Sequence, residues 1–259
     1  MKLLVLMKAV AANTGGYAGA ERQLTELMPN PADITALEEA LKLKDACGCS
    51  VTVLSMGPSA AASMLRDALA RGADSAVLLT DADLAGADTA ATSRTIAAAV
   101  SRLGGFDLIL CGRKTTDGET GQVGPELATR LDVGCMTNCC AISIEDGEAR
   151  CACLLDGATG TLRGRLPMLV SVVYGINSPR LPSLAGLRRA KSSEIAYMGR
   201  AQLGIPRELC GQSGSPTRVM SSYSIPFEKR RPTFVDHTEL SKRLSGLMAE
   251  SRGGEAFHG

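Results

Sequence analysis

The sequence predicts an α/β protein built on a doubly wound, mainly parallel sheet. Short apolar runs alternate with helical patterns as far as about residue 130, the order expected of strands joined by helical crossovers. Several runs end in turns rich in glycine or hydroxyls. Alanine and glycine are abundant and aromatics make up only 3%, which suits helices packed closely on a sheet.

Lys2 to Met7 is the first strand. Ala9 to Asn30 has weak periodicity and several glycines, so it reads as a loop crossing the top of the sheet. Asn30-Pro31-Ala32-Asp33 leads into a helix in which Ile34, Leu37 and Leu41 keep helical spacing. Asn30 or Asp33 either caps this helix or reaches a ligand. Ser50 to Ser55 is a second, β-branched strand, and Met56-Gly57-Pro58 turns directly after it. A helix from Ser59 stops at Gly72, and Ala76 to Thr80 is the third strand. Asp88-Thr89-Ala90-Ala91-Thr92-Ser93 opens another helix. One polar side chain suffices as its cap; the surplus hydroxyls either saturate backbone donors or meet a phosphate.

Asp107 to Cys111 is a short buried strand ending in Gly112. A loop crowded with Thr115, Thr116, Asp117, Gly118, Glu119, Thr120, Gly121, Gln122 and Gly124 follows. Pro125 sits in the first turn of the next helix, where proline is tolerated. A strand, a glycine-rich turn and a helix together aim backbone N–H groups at an anion. The loop is neither a Walker A sequence nor a G-x-G-x-x-G fingerprint, and alone it is an ordinary connection. In a doubly wound sheet, however, ligands sit beyond the C-terminal strand ends, where the strand order reverses. The loop after strand one, Asn30–Asp33, Met56–Pro58, Asp88–Ser93 and the glycine-rich loop all fall on that edge.

After residue 133 the period changes. Ala141–Ile144 and Ala149–Leu155 form a hairpin about Asp146-Gly147, and Pro167–Tyr174 is a further strand. Ser183–Lys191 is a short apolar and basic stretch. Tyr197 to Pro232 is too long and irregular for a routine loop, so it is expected to lie over another subunit or to be partly disordered. Thr238 to Met248 is a final amphipathic helix. The expected division is an α/β nucleotide-binding domain over 1–195 and a C-terminal arm over 196–259.

A net charge of +1 and few aromatics argue against nucleic acid. No stretch approaches a membrane span, and Lys8 interrupts the first apolar run too early for a signal peptide, so the expected location is cytoplasmic. The cysteines Cys135, Cys139, Cys140, Cys151 and Cys153 cluster, but their spacing fits buried thiols better than a metal site. His237 and His258 lie far out near the C-terminus, and no nucleophile–base arrangement is evident, so no catalytic side chain is expected.

In order and spacing, four segments carry a family resemblance: Asn30-Pro31 before Ala36-Leu37-Glu38-Glu39-Ala40; Ser55-Met56-Gly57-Pro58; Asp117 to Pro125; and Arg180 through Ala190-Lys191. Along nearly its whole length the chain resembles the beta subunit of electron transfer flavoprotein. The resemblance implies an adenine nucleotide alpha-hydrolase-like fold and a heterodimer with an alpha subunit holding an electron-transferring FAD. It also implies an adenine-nucleotide site here, formed by Leu6, Ala9, Asn30, Pro31, Ala32, Asp33, Met56 and the run Thr116, Asp117, Gly118, Glu119, Thr120, Gly121, Gln122, Val123, Gly124, Pro125, Glu126 and Leu127. Leu184 matches the position that docks onto a partner dehydrogenase, of the acyl-CoA type or another flavin enzyme.

Ordinary members hold AMP, whereas electron-bifurcating members hold a second FAD that takes hydride from NADH. Gly86 to Ser93, with Asp88, Thr89 and Thr92, is similar to the bifurcating group, as is Gly211–Thr217. After strand one, Val10-Ala11-Ala12-Asn13-Thr14 departs from that group's Val-Pro-Asp-Thr, and the usual hairpin is expected to be replaced by a Gly/Ala-rich stretch. Two other classes, a stress-type ATP binder and an adenylyl-transferring enzyme, remain as alternatives. The first would lack the extension after Tyr197. The second would need a pyrophosphate loop where Ala9 to Gly16 stands.

Overall fold

The computed structural model describes residues 1–12, 27–221 and 236–253, with side chains to 245 in the last stretch. The chain divides into two compact units, Met1–Ser222 and Tyr223–Gly259. In the first unit, the apolar runs form β1 (Lys2–Leu6), β4 (Ser50–Met56), β5 (Ser75–Leu79), β6 (Leu108–Gly112) and β10 (Met168–Val172). Between β1 and β4 lie a short pair, β2 (Ala9–Ala11) and β3 (Leu27–Pro29), and helix α1 (Pro31–Cys47). Helices α2 (Ala62–Arg71), α3 (Thr89–Arg102) and α4 (Val123–Leu131) make the next crossovers. Strands β7 (Gly134–Glu145), β8 (Glu148–Leu155) and β9 (Ala158–Arg165) precede β10, and α5 (Leu184–Ser192), β11 (Ile195–Met198) and α6 (Arg200–Leu203) follow it.

The nine strands form one sheet in the order β11-β5-β4-β1-β6-β10-β7-β8-β9. It is parallel from β11 to β7, and β8 and β9 add antiparallel. Alternate side chains of a strand face opposite ways. Leu3 and Val5 pack with Leu37, Leu41, Leu65 and Leu69 of α1 and α2, while Leu4 and Leu6 pack with Ile96, Val100 and Leu127 of α3 and α4. Both faces are therefore covered, and the doubly wound α/β architecture is as expected. The chain passes from β1 outward to β4 and β5, then returns to β6 on the other side of β1. The order reverses at β1 and β6.

Four expectations change. Ala9 to Asn30 is not all loop: Ala9–Ala11 pairs antiparallel with Leu27–Pro29, and Val10 is buried. The two strands of a hairpin thus stand where a Gly/Ala-rich replacement was expected; residues 13–26 lie outside the described residues. Ala158–Arg165 is a strand that apolar pattern did not disclose, because this edge strand is rich in Gly, Thr and Arg and mostly exposed.

The segment after Tyr197 belongs largely to the first unit. β11 pairs with β5, and Arg94 Nη1 donates to the Leu209 carbonyl at 2.8 Å. The compact unit therefore runs past residue 195 to Ser222. Finally, Asn30 occupies the N-cap position of α1 without a side-chain capping bond. In the second unit, α7 (His237–Gly253) covers the expected final helix, and Asp236 accepts from the N–H groups of Thr238 and Glu239.

Of the clustered cysteines, Cys139, Cys151 and Cys153 are fully buried on adjacent strands, Cys140 is half-buried and Cys135 is exposed; no cluster suited to a metal occurs among the described residues.

Candidate functional site

The C-terminal ends of β1 and β6 are drawn together by one carboxylate. Asp33, in the first turn of α1, accepts from the Lys8 N–H through Oδ2 (2.8 Å) and from the Gly112 N–H through Oδ1 (3.0 Å). A Cβ at Gly112 would lie 2.5 Å from Asp33 Oδ1 and 2.7 Å from Ala32 Cβ, so only glycine lets α1 approach β6 this closely. Asp33 is buried, and burial raises its carboxyl to about 6 against the lowering effect of these two N–H donors, Asn30 and the Lys8 charge. Asn30, fully buried, does the same for the glycine-rich loop. Its Nδ2 donates to the Lys114 carbonyl (3.1 Å), and its Oδ1 accepts from the Thr116 N–H (3.2 Å). The sequence offered capping or ligand contact for both residues; the structure shows neither side chain capping α1.

The loop between β6 and α4 is shaped as well as anchored. Glu119 (φ 52°) and Gly121 (φ 64°) adopt left-handed backbone, a conformation costly for residues other than glycine. Lys8 Nζ meets Asp117 at 2.8 Å. Burial works to raise the Asp117 carboxyl, but bonds from Lys8 and Thr115, the Lys8 charge and the Gly118 N–H hold it below its ordinary value. Among the described residues, the N–H groups of Asp117, Thr120 and Gly121 find no protein acceptor. The loop's residues Thr116, Gly118, Glu119, Thr120 and Gln122 are exposed, and Asp117 and Gly121 are half-buried.

The remaining expected residues divide into lining and support. Ala9, Pro31 and Met56 are half-buried at the same strand-end edge. Gln122, Val123, Pro125 and Glu126 begin α4. Leu6, Ala32, Gly124 and Leu127 are buried, and a Cβ at Gly124 would lie 3.1 Å from Cys111 Sγ. These four pack the wall from behind. Sequence reasoning missed two residues. Lys8 was read only as a break in an apolar run, although a cation directly after a strand end was the available signal. Ser55 Oγ is buried beside Met56 with no hydrogen-bond partner, the cue being a serine inside an apolar strand.

The start of α3 is arranged differently. Asp88 caps it, with Oδ1 accepting from the Ala91 N–H at 3.0 Å. Its Oδ2 accepts from the Thr217 N–H (2.9 Å), and its own N–H donates to Ser215 Oγ (2.8 Å). Thr89 Oγ1 donates to Glu126 Oε1 at 3.0 Å, and Ser93 Oγ to Glu126 Oε2 at 2.9 Å. Of the hydroxyls read as surplus, Thr92 alone has no side-chain partner among the described residues.

Comparison with known proteins gives this edge a lineage: residues 21–202 match the electron transfer flavoprotein domain. The chain belongs to the electron transfer flavoprotein family, on the beta-subunit side. It is similar to the caffeyl-CoA reductase-Etf complex subunit CarD of Acetobacterium woodii, 41% identical over 198 residues and 76% of each chain. It is also similar to the electron transfer flavoprotein subunit beta of Thermoanaerobacterium thermosaccharolyticum, 38% identical over 80% of this chain and 79% of that one. Protein FixA of Rhizobium meliloti is 38% identical over 88% of this chain and 82% of its own. As a member of this family, the chain serves electron transfer in a flavoprotein. No helix among the described residues is long and apolar enough to cross a membrane.

In this flavoprotein subunit Leu184 stands well away in sequence from the strand-end residues, at the start of α5. Ser183 caps that helix, accepting from the Gly186 N–H at 3.0 Å. Leu184 is 80% exposed, and Leu181 (83%) and Leu187 (49%) are also exposed.

Proposed function

We propose that this chain pairs with an electron transfer flavoprotein alpha subunit and binds an adenine nucleotide across the ends of β1 and β6, with FAD as that nucleotide. The observation that carries the reading is the Asp33–Asn30 pair. Two buried side chains spend their polar atoms on Lys8, Gly112, Lys114 and Thr116, and so hold a loop in which the Asp117, Thr120 and Gly121 N–H groups have no acceptor among the described residues. Backbone donors at a strand-to-helix turn fit phosphate and adenine acceptors. Ala9, Met56 and Thr116 to Gln122 would line the nucleotide, with Asn30, Pro31, Asp33 and Val123 to Leu127 supporting that lining.

FAD is favoured because the two segments resembling bifurcating members, Gly86–Ser93 and Gly211–Thr217, meet through Asp88, Ser215 and Thr217. When bound, this FAD would accept hydride from NADH and divide the electron pair between two acceptors, one through the FAD of the alpha subunit. The protein's own task is to bind, orient and shield the flavin. A second reading, AMP as a structural nucleotide, is favoured by the α3 first turn, where Asp88, Thr89 and Ser93 are engaged within the chain and add little for a diphosphate.

The exposed Leu184 would dock on an acyl-CoA-type or other flavin dehydrogenase. Co-purification with the alpha subunit and a flavin count separate the two nucleotides. Two FAD per heterodimer are expected; one FAD with one AMP would establish the second reading.

A further inference from the structure

The segment between β10 and α5 has no regular structure, yet Asn177 and Arg180 tie it to the helices beneath. Asn177 Nδ2 donates to the Thr35 carbonyl and to Glu39 Oε1, both at 2.8 Å. The Arg180 N–H donates to Glu38 Oε2 at 3.0 Å. Its guanidinium reaches Glu38 at 3.0–3.2 Å and Asp45 at 2.8 Å, and its carbonyl accepts from Arg71 Nη1 at 2.6 Å. Backbone and side chain of this one residue are thus fixed by α1 and α2. Glu38 and Glu39 are only 5% and 7% exposed. Burying a carboxylate is costly unless it is paired, and both are paired here, Glu38 with Arg180 and Glu39 with Lys42.

The downstream end is clamped too. A Cβ at Gly186 would run into the Ala70 carbonyl, so α5 lies directly on α2. Arg66 Nη1 donates to the Ala190 carbonyl at 2.7 Å. Leu181 lies in the segment between these two clamps, and Leu184 and Leu187 are exposed on the first turns of α5 beside it.

We propose that Glu38 and Arg180 are positioning residues for docking: they pre-order the 177–183 segment so that these leucines meet the apolar surface of a flavin dehydrogenase without first having to be ordered. Association is penalised for every loop and side chain it must immobilise, and this clamp removes that penalty before the encounter. The proposal rests on the docking role given to Leu184 above.

The test uses the assembled alpha–beta complex carrying Glu38→Gln, Arg180→Lys, Arg180→Ala or Leu184→Ala. Hydrogen exchange needs no partner. Glu38→Gln is expected to speed amide exchange over residues 178–187 roughly tenfold, with β1 and β6 unchanged. Lysine at 180 keeps the charge but loses the fork, so it should restore part of what alanine loses; it also replaces Glu38→Gln if that variant does not assemble. Electron delivery is then read with an acyl-CoA dehydrogenase, reduced by its acyl-CoA, as donor. KM for the complex should rise roughly tenfold in Glu38→Gln and Leu184→Ala, with kcat and flavin content unchanged. Wild-type exchange in both Glu38→Gln and Arg180→Ala overturns the proposal. So does a raised KM in Leu184→Ala alone. An unchanged KM in Leu184→Ala instead overturns the docking role itself, whatever the exchange rates show.

Discussion

Two helices, α1 and α3, begin at the same edge of the sheet, and both sequences offered polar residues at their starts. They differ in whether those residues also cap the helix. At α3 a side chain caps the helix as well as reaching other elements: Asp88 caps the first turn and binds Ser215 and Thr217, while Thr89 and Ser93 bond to Glu126 of α4. At α1 the polar groups reach across to other elements: Asn30 and Asp33 leave their own helix uncapped and fix the ends of β1 and β6 and the glycine-rich loop. What sets α1 apart is that Asn30 and Asp33 are buried and give their side chains wholly to other segments.

The contrast can be broken first at Asp33. Asp33→Ala leaves the Lys8 and Gly112 N–H groups without their acceptor. The net cost is about 1–3 kcal/mol, because relief of a buried carboxylate offsets part of the loss. Bound nucleotide in the purified complex should fall to roughly a tenth of wild type. Urea unfolding and nucleotide release measure both.

The same carboxyl sets a pH dependence. Its folded value of about 6 lies above the ordinary carboxylate range. The contribution of its protonation to stability is thus complete below about pH 4 and lost as pH rises through 6, amounting to about 2–3 kcal/mol. Between pH 4.5 and 7 the urea midpoint of Asp33→Ala should move upward relative to that of wild type, because the loss of stability tied to Asp33 deprotonation is removed. Equal effects would remove Asp33 as the titrating group.

Asn30→Ala orphans the Lys114 carbonyl and the Thr116 N–H. It should cost about 1–2 kcal/mol, with nucleotide affinity reduced about tenfold. Isothermal titration of the stripped complex measures the affinity. Asp88→Ala removes a cap and a strap, costing about 1 kcal/mol in the unfolding midpoint, with nucleotide content unchanged. If Asp88→Ala stripped the nucleotide and Asn30→Ala spared it, the assignment of roles to the two helices would reverse.

The sheet was legible because its central strands are buried on both faces and so read as apolar runs, as in Leu3 to Leu6 and Leu108 to Cys111. The glycine-rich edge was legible for a related reason, since Gly112, Gly121 and Gly124 mark close approaches that a Cβ would crowd. What stayed hidden depends on long-range pairing. β9 is an exposed edge strand without an apolar face, β11 joins the sheet by pairing with β5 late in the chain, and Lys8 gains its meaning only from Asp117, 109 residues away. For Asn30 and Asp33 the capping alternative failed for the same reason: capping is a local inference, and their partners lie 25 to 86 residues distant.

The most direct test of the β1–β6 edge as a flavin site is nucleotide release from two preparations of the alpha–beta complex, wild type and Asn30→Ala, identified and counted after denaturation. Two FAD per wild-type heterodimer and a selective loss of one in Asn30→Ala are predicted. One FAD with AMP in the wild type, or two FAD retained in the variant, would contradict the assignment of FAD to this edge.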